Sequence, residues 1–197
     1  MTQQKEQINI FIAYSRTDIA YLQKIRKYLK TFERKKDIKI WYDGEIIAGE
    51  FWDKTITKKL ENADMILLLV SADSLASDYF HQKEMQKALE RHLIEVLVVP
   101  IIVKNCLWQD ELGDIQVLPK NGLPIVKWPL ESDAYTDIAF GVKASIVDAR
   151  DLKRKRLERI NGEYSDKLLK AETELKNTQI SLKSAESDLT KKEKEVE

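Results

Sequence analysis

Side chains able to bind a polar ligand follow three apolar, strand-like segments of the sequence. Hydroxyls and a guanidinium come after the first segment, a carboxylate after the second, and hydroxyls and then a carboxylate after the third. In chain order these residues are Tyr14, Ser15, Arg16, Thr17, Asp43, Ser71, Ser77 and Glu84. If the three segments are parallel strands, these residues lie near the carboxyl edge of one sheet, where ligands bind in open α/β folds.

Glu84 has the most suggestive surroundings of these residues. Phe80 and Ala88 lie four residues before and after it, so Glu84 borders the apolar stripe of a predicted helix. A solvated surface glutamate fits the same pattern, because Glu is favourable on helices. We predict no metal site, because His81, His92 and Cys106 lack the spacing of metal ligands.

Alternating apolar runs and helical stripes supply the elements that would position these residues. Three of the runs are almost wholly apolar, as expected for strands that are covered on both faces. The alternation predicts an α/β fold, a flavodoxin-like doubly wound five-stranded parallel sheet. The predicted strands are residues 8–14, 38–42, 65–70, 95–103 and a short fifth at 124–128. Pro100 inside the fourth strand predicts a bulge or an unpaired N–H at this point.

The remainder of the chain, from about residue 150, has a different pattern. It is free of proline and rich in charges of both signs. Apolar residues recur in it every seven positions, at Leu168, Leu175, Leu182, Leu189 and Val196, with Tyr164, Ala171, Thr178 and Ala185 between them. This heptad pattern predicts a long C-terminal helix that self-associates as a coiled coil, with a solvated single helix as the alternative. We therefore expect two domains, residues 7–149 and 150–197.

The overall composition excludes several classes of partner. Lys+Arg and Asp+Glu both number 33, so the net charge of zero disfavours nucleic acid and anionic membranes as partners. No apolar run approaches the ~20 residues that a membrane-spanning helix needs, and the polar start predicts no signal peptide. The single cysteine favours a reducing, cytoplasmic location.

Two other protein classes with this sheet are disfavoured by the residues that come after the strands. A phosphorelay receiver needs an acidic pair after the first strand, where this chain has Ser15 and Arg16. A flavodoxin needs a phosphate loop rich in Ser, Thr and Gly at the same place, and there is no glycine-rich nucleotide motif in the sequence.

Several motifs resemble, in order, the sequence boxes of TIR (Toll/interleukin-1 receptor) domains. The resemblance covers residues 7–149 and is closest to bacterial TIR domains. The segment from Phe11 to Arg16 resembles the opening box, and that from Ser71 to Glu84 resembles the box joining the third strand to its helix. Trp41-Tyr42-Asp43 and Ala48–Trp52 resemble the second box and the BB loop.

The resemblance implies an activity and a set of site residues. Many bacterial TIR domains are NAD⁺ glycohydrolases or cyclases, with one catalytic glutamate that corresponds to Glu84. By the same resemblance the NAD⁺-binding residues are Tyr14, Ser15, Arg16, Asp43, Ile47 and Phe80, where Phe80 replaces a tryptophan that is frequent in the family. NAD⁺ is then the substrate, and no cofactor is required.

The resemblance also suggests that TIR self-association controls activity, in bacterial defence or signalling. A coiled coil would raise the local concentration of TIR domains. The main alternative is a non-enzymatic scaffold or adaptor that works through TIR–TIR contacts. A sensor of a nucleotide signal is a further possibility.

Overall fold

A computed structural model describes residues 6–46, 51–77, 86, 89–91 and 95–195. Strands and helices alternate along these residues. The strands are β1 (Ile8–Ala13), β2 (Ile38–Trp41), β3 (Met65–Val70) and β4 (Leu97–Ile102). The helices are α1 (Ile19–Arg34), α2 (Trp52–Glu61), α3 (Ala72–Leu75), α4 (Trp108–Leu112) and α5 (Glu131–Glu195). None of these helices is long and apolar enough to cross a bilayer.

The four strands form one parallel sheet in the order β2-β1-β3-β4. β1 and β3 are central, and every residue of β3 is buried. β1 pairs with β2 on one side and with β3 on the other, so the chain winds in both directions from β1, as in a doubly wound sheet. The predicted α/β fold is therefore confirmed, with its flavodoxin-like order and a long C-terminal helix.

Two apolar layers cover the two faces of the sheet. Successive residues of β1 alternate between the layers, because side chains of a strand point to opposite faces. On one face Ile8, Ile10 and Ile12 pack with residues of α1 and with Tyr135, Ile138, Val142 and Ile146 of α5. On the other face Phe11 and Ala13 pack with Ile56 and Leu60 of α2 and Leu112 of α4.

The predicted fifth strand at 124–128 is wrong. Residues Ile125–Lys127 form a 3₁₀ turn, in which the Trp128 N–H donates to the Ile125 carbonyl at 3.2 Å. Pro124 and Pro129 flank this segment, and a proline has no N–H to give to a sheet ladder. The outer side of β4 instead carries a single parallel bridge between Ile101 and Leu118.

Pro100 lies within β4 without a bulge. The strand stays in register with β3 through this position, where Pro100 is opposite Leu68. The Pro100 carbonyl accepts from the Leu118 N–H at 2.8 Å, so this residue directs its backbone groups away from β3. The predicted bulge is therefore wrong, and the missing N–H of Pro100 costs the β3–β4 ladder nothing.

Helix α5 is attached to the amino edge of the sheet by buried and half-buried charges. The fully buried carboxylate of Asp64, just before β3, accepts from the Asn9 N–H at 2.9 Å and pairs with Lys153 Nζ at 3.0 Å. Arg150 Nη2 pairs with Asp37 Oδ1, before β2, at 3.0 Å. These contacts anchor the part of α5 that packs on the same face of the sheet as α1.

The chain divides into two compact units, Met1–Arg154 and Lys155–Glu197. The first contains the sheet and its two apolar layers. In the second unit the described residues are helical. Almost all of its described side chains are exposed, including those of Leu168, Leu175 and Leu182.

Candidate functional site

A cavity of about 360 Å³ opens at the carboxyl edge of the sheet, on the face that α2 covers. Its lining includes four of the residues that the sequence predicts for ligand binding. These are Tyr14, Ser15, Arg16 and Asp43, accompanied by Ser77 and by apolar residues of β1 and α2. Three chain segments thus bring polar groups to an otherwise apolar cavity: those that follow β1, β2 and α3.

A tight turn after β1 presents Ser15 and Arg16. The Ser15 carbonyl accepts from the Asp18 N–H at 2.7 Å, which closes a 3₁₀ turn over Arg16–Asp18. The Ser15 and Thr17 hydroxyl oxygens lie 3.0 Å apart. Arg16 is exposed at the cavity and forms no ion pair with any residue that the structure describes. Its guanidinium is therefore available to an anionic ligand.

Tyr14 and Asp43 lie side by side in the lining. Burial raises the pKa of the Tyr14 hydroxyl well above its usual range, and the adjacent Asp43 carboxylate raises this pKa further. Asp43 Oδ1 is buried, and no described group hydrogen-bonds to it. A buried carboxylate oxygen without a partner is costly, so this atom is a natural acceptor for a ligand hydroxyl.

The turn that carries Asp43 is held by an aromatic and charged contact. The Arg26 guanidinium lies 4.4 Å from the centre of the Tyr42 ring, and its Nη2 pairs with Glu45 Oε1 at 3.4 Å. Gly44 passes close to the same ring, where a Cβ atom would come within 2.5 Å of Tyr42 Cε2. A side chain at position 44 would therefore displace the Tyr42 ring from the start of the loop.

A second group of polar residues joins the ends of three strands beside the cavity. Asp18 is fully buried, and its Oδ2 accepts from the Ser71 hydroxyl at 2.5 Å. Its Oδ1 lies 2.8 Å from Lys104 Nζ, which also pairs with Asp73 Oδ2 at 3.0 Å. These hydrogen bonds raise the pKa of Lys104, and the contact with Lys104 lowers the pKa of Asp73.

This Asp18–Ser71–Lys104 network connects the residues after β1, β3 and β4. Ser71 also caps α3, because its Oγ accepts from the Ser74 N–H at 3.1 Å while Ser74 Oγ accepts from the Ser71 N–H at 2.8 Å. Sequence reasoning did not identify Asp18 or Lys104 as part of the site. The sequence does show that Asp18, Ser71 and Lys104 each come within five residues of the end of a strand. That these three side chains meet can be inferred only once the order of the strands in the sheet is known.

Three predicted site residues, Ile47, Phe80 and Glu84, lie outside the described residues. Ser77 is the described residue nearest to Phe80 in sequence, and it comes seven positions before Glu84. It lines the cavity, and its hydroxyl donates to the Ser74 carbonyl at 2.6 Å. Within the described part of the chain there is no group of three or more His, Cys, Asp or Glu side chains arranged to hold a metal.

Comparisons with known proteins identify a family for the sheet unit. The family model described as TIR domain matches residues 10–123. The uncharacterized protein y4lF of Sinorhizobium fredii is 38% identical over 137 residues, which is 68% of this chain. The chain spans only 42% of the length of that relative.

Two solved structures are also similar. One is the TIR domain of the Toll-related receptor TRR-2 from Hydra magnipapillata, with 20% identity and a TM-score of 0.40 over 66% of this chain and 96% of that one. The other is a conserved protein from Enterococcus faecalis V583, with 15% identity and a TM-score of 0.37 over 68% and 98% of the two chains.

Proposed function

This chain belongs to the TIR domain family, and we propose that it is an NAD⁺ glycohydrolase or cyclase of bacterial defence or signalling. The observation that supports this proposal best is the cavity at the carboxyl edge, with Tyr14, Arg16 and Asp43 in its lining. A cation, a neutral phenol and a carboxylate oxygen without a described partner suit a ligand that carries both phosphates and ribose hydroxyls. NAD⁺ is such a ligand.

Each of these groups has a role in the proposed complex. The Arg16 guanidinium pairs with the pyrophosphate, because guanidinium and phosphate oxygens form strong charge-assisted hydrogen bonds. Asp43 accepts from a ribose hydroxyl. Tyr14 is protonated at neutral pH, as an ordinary tyrosine is, and its raised pKa keeps it so beside the Asp43 carboxylate; its hydroxyl is a donor and its ring offers an apolar face.

The proposed reaction breaks the bond between the ribose C1′ and the nicotinamide nitrogen. The electron pair of that bond goes to the pyridinium ring, so nicotinamide leaves as a neutral molecule and needs no proton. One carboxylate is then sufficient, and we assign Glu84 to stabilise the oxocarbenium-like ribose. Water that adds to C1′ and loses a proton gives ADP-ribose, whereas a nucleophile within the substrate gives a cyclic product.

We further propose that self-association raises the activity. Leu168, Leu175 and Leu182 are 63%, 61% and 57% exposed and recur every seven residues. A coiled coil through these residues would bury them and hold copies of the TIR domain near one another. In TIR domains a neighbouring copy and the BB loop often complete the active site, which would make activity depend on assembly.

The test is nicotinamide release from NAD⁺ by the purified protein, measured by chromatography. We expect Glu84→Gln to lower the rate by about 10²-fold or more, the effect of removing one electrostatic stabiliser of a transition state. Glu90→Gln, an exposed glutamate later in the same region, is the matched control and should keep the rate.

The same assay examines the role of assembly. In the triple variant Leu168→Ser/Leu175→Ser/Leu182→Ser, the rate per TIR domain should be lower than in the wild type when the protein is dilute. At high protein concentration the variant should regain the wild-type rate. No nicotinamide release by the assembled protein would favour the scaffold function, and a rate unchanged by Glu84→Gln would overturn the assignment of Glu84.

A further inference from the structure

A second concave surface lies on the α2 face of the sheet, toward the amino ends of β1 and β2. This groove has a volume of about 650 Å³ and shares only Phe11 with the cavity at the carboxyl edge. The sheet contributes Asn9, Lys39 and Trp41 to it. Helix α2 and its C-cap residue contribute side chains spaced three and four apart, which therefore lie along one side of the helix: Lys54, Thr55, Lys58, Lys59 and the C-cap Asn62.

The groove concentrates positive charge that nothing described neutralises. Four lysines line it, and none of the described lining residues is a carboxylate. None of the four forms an ion pair with a described residue, whereas Lys24, Lys30, Lys104 and Lys153 each pair with a carboxylate. In a chain of zero net charge, four cations collected in one groove form a strong local positive potential.

The carboxylates closest to the groove do not cancel this charge. Asp64 hydrogen-bonds to the Asn9 N–H, but its charge is matched by Lys153 on the other side. Glu61 comes about one helical turn after Lys58 on α2. It does not line the groove, and it forms no ion pair with a described residue. No described carboxylate therefore pairs with the ammonium groups of the groove.

Two of the lysines rest on aromatic rings. Lys59 Nζ lies 5.6 Å from the centre of the Trp41 ring, and Lys54 Nζ lies 5.0 Å from that of Phe51. Such a contact orients the side chain but consumes none of the three ammonium protons. The Trp41 ring, which lines the groove, thus orients Lys59 there, and both lysines keep their hydrogen-bond donors.

We propose that this lysine groove binds an oligophosphate, such as the triphosphate of a nucleotide. Ammonium groups are compact point charges with several donors, which suits clustered phosphate oxygens. The asparagine side chains Asn9 and Asn62 add uncharged polar groups at the amino end. The volume lies within the range of ordinary small-molecule sites. This site is separate from the proposed NAD⁺ site and does not depend on the activity proposed for it.

Isothermal titration of the full-length protein with inorganic triphosphate, ATP and adenosine tests the proposal. We expect both phosphate compounds to bind at about 50 mM salt and to bind more weakly at higher salt, because screening reduces attraction between exposed charges. Adenosine should not bind. Lys58→Gln/Lys59→Gln should weaken triphosphate binding by at least about tenfold.

Lys127→Gln/Lys143→Gln is the matched control, because it removes two exposed lysines that do not line the groove. Triphosphate binding should survive in this variant. Circular dichroism of both variants checks that they fold. Absence of triphosphate binding at low salt, an equal loss in the control, or tighter binding of adenosine than of triphosphate would each overturn the proposal, as would a clear preference for duplex DNA.

Discussion

The two edges of the central sheet use their charged side chains differently. At the amino edge Asp37 and Asp64 are paired with Arg150 and Lys153 of α5. At the carboxyl edge Arg16 has no described ion-pair partner, and Asp43 has a buried oxygen that no described group hydrogen-bonds. Residues that use their hydrogen-bonding capacity within the fold stabilise it, and residues that keep this capacity remain available to a ligand.

The carboxyl edge also shows how such open groups are supported. The Asp18–Ser71–Lys104 network lies directly beside them and is internally paired. It fixes the turn that presents Arg16 and the start of the segment that leads to Glu84. The carboxyl edge therefore combines an ion-paired support with ligand groups that have no described partner, whereas the contacts of α5 at the amino edge serve the fold alone.

The largest expected effect on stability is at the amino edge. Lys153→Met leaves the fully buried Asp64 without its cation, and breaking a buried pair in this way costs about 3 kcal/mol. Lys24→Met, which breaks the exposed pair with Glu131, is the control and should cost at most about 1 kcal/mol. Urea unfolding of both variants measures the difference. Equal losses would mean that the two pairs are energetically alike and that the amino edge has no special role.

A smaller loss is expected from the supporting network at the carboxyl edge. Ser71→Ala removes the hydrogen bond to the Asp18 carboxylate and the cap of α3, which together are worth about 2 kcal/mol. The same change should reduce nicotinamide release, because the turn and the cavity lose their common anchor. Ser145→Ala removes a hydroxyl that donates only to the Gly141 carbonyl within α5, and it should leave both stability and rate nearly unchanged. A stability loss without any change in rate would separate the network from the site.

The smallest effect at neutral pH is expected at the open groups themselves. Tyr14→Phe should change stability by no more than about 0.5 kcal/mol at pH 7. Because the pKa of Tyr14 is raised in the folded state, its contribution is complete below the unfolded pKa of about 10 and is lost as pH rises toward the folded value.

Stability of Tyr14→Phe should therefore decline less steeply than that of the wild type above pH 10. Urea midpoints at pH 8 and pH 11 measure this difference. Tyr164→Phe, which changes an exposed tyrosine of the second unit, should follow the wild type. Parallel decline of all three proteins would show that the surroundings of Tyr14 do not favour its neutral form.

The sequence predicted the parts of the fold that depend on local pattern. Apolar runs identified β1 to β4, and the heptad pattern identified the long helical C-terminal part of α5. The short run at 124–128 was wrongly predicted as a strand because Val and Ile favour strands. The flanking prolines and the burial of Ile125 favour a 3₁₀ turn instead.

The candidate site was predictable only where its residues directly follow strands. Tyr14, Arg16 and Asp43 belong to this group. The Asp18–Ser71–Lys104 network could not be predicted, because its members are 53 and 33 positions apart in sequence and are brought together only by the order of the strands. The lysine groove was also missed, because charge balance over the whole chain conceals a local excess.

Pro100 has a consequence for how copies of this protein can associate. An open strand at the end of a sheet is a template on which another molecule can extend that sheet. On the outer side of β4 the proline offers no donor, and its carbonyl and the Ile102 N–H are already bonded to Leu118. The border at Pro100 is therefore closed to strand addition, so copies that associate on the β4 side of the sheet must use helical or loop surfaces.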